Sequence, residues 1–175
     1  MIKYKIRQNW RDFADSAVGD EALNGRTIAN GRKSQVVGLM GEMVFGRYLI
    51  DNQLDFQYLA MESTDFDFRV DSLFIDVKTA HSNYEPQPDW HCRIPTYQEF
   101  QRTDIYVFAG VSDYDATLWG WITKDRFWSD EVSWLQEKGS MDKKVQLAEN
   151  RMMNISDLNA MEDLITLLAH QGDAN

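Results

Sequence analysis

The segment IDVKTA, residues 75–80, alternates β-branched side chains with an acid and an amine. Ile75, Val77 and Thr79 favour a β-strand, and successive side chains of a strand point to opposite faces. Asp76 and Lys78 therefore share one face of the predicted strand. A carboxylate can hold a cation, and an ammonium group beside it supplies a point positive charge for an anion.

The turn that precedes this strand decides which acids lie near Asp76. Only two residues separate the predicted strands 66–70 and 73–79, so a two-residue hairpin turn would set their register. Asp67 then lies opposite Asp76, with the Cβ atoms roughly 5 Å apart. Two carboxylates at that distance repel, and one is driven toward protonation. A Mg²⁺ ion would remove the repulsion and needs only one or two protein carboxylates.

The same register places Asp65 opposite Lys78, which leaves a second interpretation open. In that interpretation the two residues form a cross-strand ion pair on a solvated face, without any metal. A longer loop would also shift the register and could separate Asp67 from Asp76.

Glu42 is the third acid of interest, within the apolar helix candidate 34–50 (SQVVGLMGEMVFGRYLI). Gly38, Gly41 and Gly46 lie around it, and each glycine costs a helix up to about 1 kcal/mol relative to alanine. They indicate that the helix closely approaches another element, and the predicted sheet is the best candidate. A buried glutamate there is costly unless it is paired or bound to metal. The alternative is that Glu42 points to solvent.

The chain as a whole predicts a mixed α/β (α+β) domain. We expect helices at 9–24, 34–50 and 155–170, a short helix from Tyr97, a loop at 81–93, and strands at 56–59, 66–70, 73–79, 104–111 and 117–123. Ser34 is the expected N-cap of the second helix. This order predicts one central mixed sheet flanked by helices. Residues 1–175 are expected to form one domain, with a basic N-terminal arm and a C-terminal helix added to its core.

Composition limits the function classes. The net charge of -10 argues against nonspecific nucleic-acid binding, although Lys3, Lys5, Arg7 and Arg11 form the basic arm. We expect a soluble, intracellular, cytoplasmic protein, because no apolar run is long enough to span a bilayer and the N-terminus lacks a signal-like segment. A single cysteine, Cys92, suits a reducing compartment. With His91 it does not make a zinc site, which usually needs four ligands.

The ordered acids and lysine resemble the PD-(D/E)XK, or restriction-endonuclease-like, nuclease superfamily. Its pattern is a helix glutamate, an aspartate at a strand start and (Asp/Glu)-x-Lys on the next strand. It is matched here by GLMGEMVFGRYL, DFDFRV and IDVKTA, over roughly residues 34–80, and the order of elements extends the likeness to about residue 111. Phe66 replaces the usual proline before Asp67, and Asp65 competes with Asp67 for the first acidic role.

The resemblance implies a restriction-endonuclease-like core and Mg²⁺- or Mn²⁺-dependent cleavage of DNA. Asp67, Asp76 and the Val77 carbonyl would hold the metal, with Glu42 binding directly or through water, and Lys78 would orient the attacking water. Gln98, near the following short helix, is a candidate phosphate contact. A homodimer is compatible with this family, whereas a membrane or a small-molecule cofactor is not expected.

Two noncatalytic interpretations stay open. The chain could be a nucleic-acid- or protein-binding module that keeps the nuclease fold, or an acidic mimic of DNA. The sequence does not distinguish DNA from RNA as a substrate.

Overall fold

A computed structural model describes residues 1–18, 31–60, 63, 65–136 and 149–172 of the chain. Its helices are α1 (Gln8–Ala17), α2 (Gly31–Asp51), α3 (Lys124–Phe127) and α4 (Met161–Gly172). Its strands are β1 (Ile2–Lys5), β2 (Gln57–Tyr58), β3 (Phe68–Val70), β4 (Leu73–His81), β5 (His91–Pro95), β6 (Ile105–Val111), β7 (Asp115–Thr123), β8 (Ser133–Gln136) and β9 (Asn150–Asn154). Short 3-10 turns occupy Thr96–Gln98 and Ile155–Asp157.

The strands form two sheets. The larger has the order β1-β7-β6-β4-β3-β2, and the smaller has the order β5-β9-β8. Strands β4 and β6 run parallel, while their neighbours in the large sheet pair antiparallel. The mixed α/β class and the mixed sheet are therefore confirmed. The small sheet was not expected, and β5 occupies the end of the segment predicted as a loop at 81–93.

Two apolar cores lie on opposite faces of the large sheet. Residues of α1, α2 and α4 pack with Ile75 and Val77 of β4 on one face. On the other face, Tyr106 and Phe108 of β6 pack against residues of β5 and β9. Because side chains alternate along β4, Asp76 and Lys78 belong to the face that carries Tyr106 and Phe108. No helix in the described ranges is long and apolar enough to cross a membrane.

The predicted helix boundaries differ from those observed. Helix α2 begins at Gly31, whose φ of 68° suits glycine, so Ser34 lies inside the helix and is not its N-cap. Helix α1 ends at Ala17, and residues 19–24 of the predicted helix lie outside the described ranges.

The last helix begins at Met161, six residues later than predicted. The backbone of Asn159 exchanges hydrogen bonds with that of Trp121, at 2.9 and 3.2 Å, in an isolated antiparallel bridge. The indole N–H of Trp121 also donates to the carbonyl of Ala160, at 2.8 Å. A 3-10 turn at Ile155–Asp157 and the bridge at Asn159 therefore replace the first part of the predicted helix. The helical periodicity of the side chains does not decide the conformation there.

The basic N-terminal arm forms β1, an edge strand on β7. The Lys3 ammonium group lies 3.2 Å from a carboxylate oxygen of Asp115 and 3.5 Å from one of Glu85. The Arg11 guanidinium donates to the backbone carbonyls of Ser112 and Asp113. At least two of the four basic residues are thus engaged with the domain itself.

Candidate active site

The hairpin between β3 and β4 has the two-residue turn that the sequence predicts. Arg69 lies opposite Phe74, and Val70 lies opposite Leu73. Asp71, the first residue of the turn, has a φ of 50°, a left-handed conformation that aspartate tolerates better than most residues.

The regular ladder ends one pair before the acids. Its last pair is Phe68–Ile75, and the backbone N–H of Asp67 donates to the carbonyl of Ile75 at 2.9 Å. The Asp67 carbonyl accepts from Leu59 at 2.8 Å. Extrapolating the hairpin register to place Asp67 squarely opposite Asp76 is therefore wrong, because Asp67 leaves the ladder.

The departure gives the Asp67 side chain a backbone partner. Its Oδ2 atom accepts a 2.8 Å hydrogen bond from the backbone N–H of Val77. Asp67 retains only 1% of its exposed surface, so its carboxylate is held inside the protein beside β4. The role of the Val77 carbonyl as a metal ligand stays a prediction.

Three buried acids influence one another at this point. Burial raises the pKa of Asp67 well above its usual range, and the charges of Glu42 and Asp76 raise it further. The Val77 N–H and the Lys78 ammonium oppose this rise in the pKa. Glu42 and Asp76 are each only 5% exposed. The structure therefore brings the three predicted acids within electrostatic reach of one another, with one nearby ammonium group.

Lys78 contacts Asp76 directly. Its Nζ atom forms an ion pair with Oδ2 of Asp76, and its side chain remains 21% exposed. The same Nζ lies 6.0 Å from the ring centroid of Tyr106, which is fully buried. The Tyr106 hydroxyl accepts a 3.2 Å hydrogen bond from the indole N–H of Trp128, and burial raises the pKa of Tyr106 to about 12.

Glu42 is buried because α2 packs closely on β4. A Cβ atom at Gly41 would lie 1.9 Å from Oγ1 of Thr79, so the close approach predicted from the glycines is confirmed at this position. It does not extend to Gly38, where a Cβ would meet nothing within 4 Å. The Tyr58 hydroxyl donates a 2.6 Å hydrogen bond to Oε2 of Glu42. A solvent-pointing Glu42 is thus wrong.

Asp65 does not pair with Lys78, so the alternative interpretation of a cross-strand ion pair is wrong. Its Oδ2 atom accepts from the backbone N–H of Arg102 at 3.4 Å, and its carbonyl accepts from the Thr103 hydroxyl at 2.5 Å. Between the two aspartates that competed for the first acidic role, Asp67 is the one within electrostatic reach of Glu42 and Asp76.

Gln98 lies at the end of the 3-10 turn that follows β5. Its Oε1 atom is buried and has no hydrogen-bond partner within the described part of the chain. Within the described ranges it makes no hydrogen bond with the three acids, so a contact with phosphate stays a prediction.

Two tyrosines complete the surroundings of the acids and were not anticipated. Tyr58 contacts Glu42, and Tyr106 underlies Lys78. The sequence identifies Tyr106 as the neighbour of Asp76 only when the parallel pairing of β4 with β6 is already known. A cavity of about 70 Å³, lined by residues that include Lys3, Tyr84 and Trp119, has none of the acids in its wall.

The charges of these residues suit a Mg²⁺ ion, but the residues do not form a complete set of metal ligands. The described residues contain no group of three His, Cys, Asp or Glu side chains arranged to hold a metal. Mg²⁺ usually keeps several waters and binds proteins through one or two carboxylates. Asp67 and Asp76, both buried, could supply that number.

Comparison with known proteins adds no relative: no family model matches the chain, and no curated protein or solved structure matches it significantly.

Proposed function

We propose that this chain is a metal-dependent nuclease that hydrolyses phosphodiester bonds in DNA. The observation that carries the proposal is the burial of Glu42, Asp67 and Asp76 around one ammonium group, that of Lys78. Buried carboxylates are costly unless cations compensate them. A divalent cation beside Asp67 and Asp76 would place positive charge next to these buried carboxylates.

The residues divide the work in a way that suits phosphodiester hydrolysis. Asp67 and Asp76 would hold the cation, and Glu42 would assist directly or through water. A bound Mg²⁺ or Mn²⁺ would supply polarisation of the phosphate and a more acidic water. The Lys78 ammonium, partly exposed beside Asp76, orients the attacking water and stabilises negative charge that develops on the phosphate. The restriction-endonuclease-like core belongs to the same proposal.

The test is cleavage by the purified full chain on linear, nicked, single-stranded and branched DNA and on RNA, with Mg²⁺, Mn²⁺ or EDTA. Lys78→Met and Asp76→Asn should each lower metal-dependent cleavage by about 10²–10³-fold, the usual cost of losing a group that stabilises transition-state charge. Lys33→Met and Asp163→Asn remove the same charges from exposed positions on α2 and α4 and should leave the rate unchanged. Equal cleavage by wild type and both site variants refutes the assignment.

One observation favours a second candidate, a binding module without catalysis. Lys78 pairs directly with Asp76, and one protonated acid would relieve the repulsion at Asp67. Isothermal titration calorimetry distinguishes the two. Mg²⁺ or Mn²⁺ binding that disappears in Asp76→Asn supports the nuclease, whereas nucleic-acid binding without any metal binding supports the module.

A further inference from the structure

Two arginines and two phenylalanines form a compact patch beside the candidate active site. The Cζ atom of Arg102 lies 4.4 Å from the ring centroid of Phe74, and that of Arg69 lies 6.0 Å from it. The ring of Phe66 stacks near Phe74, with centroids 4.3 Å apart and planes inclined by 38°. We call Phe66, Arg69, Phe74 and Arg102 the Phe74 patch. Both arginines are exposed, so the patch faces solvent.

Neither guanidinium group of the patch has a carboxylate partner within the described ranges. Arg69 donates through Nε to the backbone carbonyl of Asp71 at 2.7 Å, and the contact recorded for the Arg102 guanidinium is with the Phe74 ring. Other arginines pair with acids: Arg32 with Asp15, Arg47 with Asp51, and Arg151 with Asp130. In a chain of net charge -10, two such guanidiniums around one aromatic ring indicate an anion-binding surface.

Two acids lie at the patch, but their recorded hydrogen bonds are with the backbone. Oδ2 of Asp104 accepts from the N–H of Phe74 at 2.8 Å, and Oδ2 of Asp65 accepts from the N–H of Arg102 at 3.4 Å. These bonds orient the carboxylates toward the chain and leave the guanidinium N–H groups available. The ring of Phe74 fixes the plane of Arg102, which lowers the entropy that Arg102 would lose on binding.

The patch and the candidate active site share one strand face. Phe74, Asp76 and Lys78 alternate along β4, so Phe74 and Lys78 are about 13 Å apart in an extended strand. An unpaired nucleic-acid strand carries one phosphate per nucleotide, so two of its phosphates can be separated by that length. A strand lying along β4 can therefore contact the guanidiniums with one phosphate while another reaches Lys78.

Exposed aromatic rings lie on the segment that leads into the patch. Phe100 exposes 89% of its surface and Tyr97 exposes 67%. Phe100 precedes Arg102 by two residues. Large apolar rings exposed next to guanidiniums suit unpaired bases, which stack on aromatic side chains, better than a duplex whose bases are already stacked.

From this arrangement we infer that the Phe74 patch binds the phosphates of an unpaired nucleic-acid strand, with Phe100 as a stacking platform for its bases. The inference deepens the proposed nuclease function and rests on it for the identity of the ligand. The expected substrates are therefore unpaired segments, either whole single strands or the unpaired ends and branches of duplexes.

The test is fluorescence anisotropy with labelled oligothymidine in EDTA, which separates binding from metal-dependent cleavage. Each phosphate contact contributes a slope of about 0.7 to the dependence of log affinity on log salt, so Arg69→Gln/Arg102→Gln should reduce the slope by about 1.4. Near 0.1 M salt this corresponds to about 25-fold weaker binding. Phe100→Ala should weaken binding by at least about fivefold with an unchanged slope.

The matched control is Lys33→Gln/Arg47→Gln, which removes two positive charges from exposed positions of α2, on the other side of the sheet. It should bind like wild type, and circular dichroism should show that all variants are folded. Equal binding by wild type and the arginine variant, equal weakening in the control, or no binding by wild type overturns the inference. Tighter binding of a matched duplex, with Phe100→Ala silent, overturns it as well.

Cleavage by the same proteins with Mg²⁺ separates the two proposals. If wild type cleaves with Mg²⁺ and the patch variants bind the oligonucleotide as tightly as wild type, the role of the patch is refuted and the nuclease function stands. If the patch variants bind more weakly but wild type does not cleave, the nuclease function is refuted and the patch remains a binding surface.

Discussion

Replacing Gly41 with alanine should destabilise the protein, although alanine is the better helix former. The added Cβ would lie 1.9 Å from Oγ1, 2.8 Å from Cγ2 and 2.9 Å from Cβ of Thr79. Rotating the Thr79 side chain cannot relieve the overlap, because its own Cβ is one of the three atoms. Helix α2 must therefore move away from β4, and Glu42, the next residue, must move with it.

The size of the effect follows from two opposing contributions. Overpacking a well-packed core costs about 1–3 kcal/mol, and this overlap places Gly41→Ala in the upper part of that range. Replacing glycine by alanine inside a helix stabilises the helix by up to about 1 kcal/mol. The net loss in the free energy of unfolding is about 1–2 kcal/mol, equivalent to a fall in Tm of roughly 2–8 °C for a chain of this size.

Gly38→Ala is the matched control, because the same substitution in the same helix meets nothing within 4 Å. It should stabilise the protein by about 0.5–1 kcal/mol. Urea denaturation measures both variants, and a double-mutant cycle with Thr79→Ala should show a coupling of about 0.5–3 kcal/mol between positions 41 and 79. If Gly41→Ala is as stable as Gly38→Ala, the close packing of α2 on β4 is refuted.

Three further predictions concern the acids and their partners. The folded-state pKa of Asp67 is raised, so the free energy of unfolding in EDTA should fall as pH rises from about 4 through that raised pKa. The fall should be absent from Asp67→Asn, and parallel pH profiles of the two proteins would contradict this. Lys78→Met removes the cation beside Asp76 and should cost about 2 kcal/mol in urea denaturation, less than the 3–5 kcal/mol of fully buried pairs because Lys78 is 21% exposed; an unchanged midpoint would show that the ion pair contributes nothing. Tyr58→Phe removes the hydrogen bond to Glu42 and should cost about 1 kcal/mol, whereas a gain in stability would mean that this bond does not form in solution.

The local part of the candidate site was accessible from sequence. A two-residue turn fixes the register of the strands on either side of it, so the pairing of Arg69 with Phe74 follows without any tertiary information. The alternation of IDVKTA likewise places Asp76 and Lys78 on one face of β4. Three interior glycines of α2 predicted close packing, because each has a conformational cost that close contact can offset. The structure confirms this at Gly41 but not at Gly38.

Long-range contacts decided what happens beyond the turn. Asp67 leaves the ladder while its backbone bonds to Ile75 and Leu59 and its carboxylate bonds to Val77. Asp65 follows it away from Lys78, toward Arg102. Hairpin register predicts none of these bonds. The bonds to Ile75 and Val77 form where Asp67 leaves the regular β3–β4 ladder, and those to Leu59 and Arg102 join segments whose positions depend on the packed core.

The chain by itself determined the residue types, the alternation along β4 and the hairpin beside it, since these depend on neighbours a few positions away. Only the tertiary structure decided that α2 buries Glu42 near Asp67, that Tyr106 lies under Lys78, and that a second sheet packs on Tyr106 and Phe108 of β6. The same holds for Asn159, which lies within the predicted helix but forms a backbone bridge with Trp121 of β7. A local pattern states which faces must be buried, whereas the element that buries them is selected by packing and backbone hydrogen bonds across the whole fold.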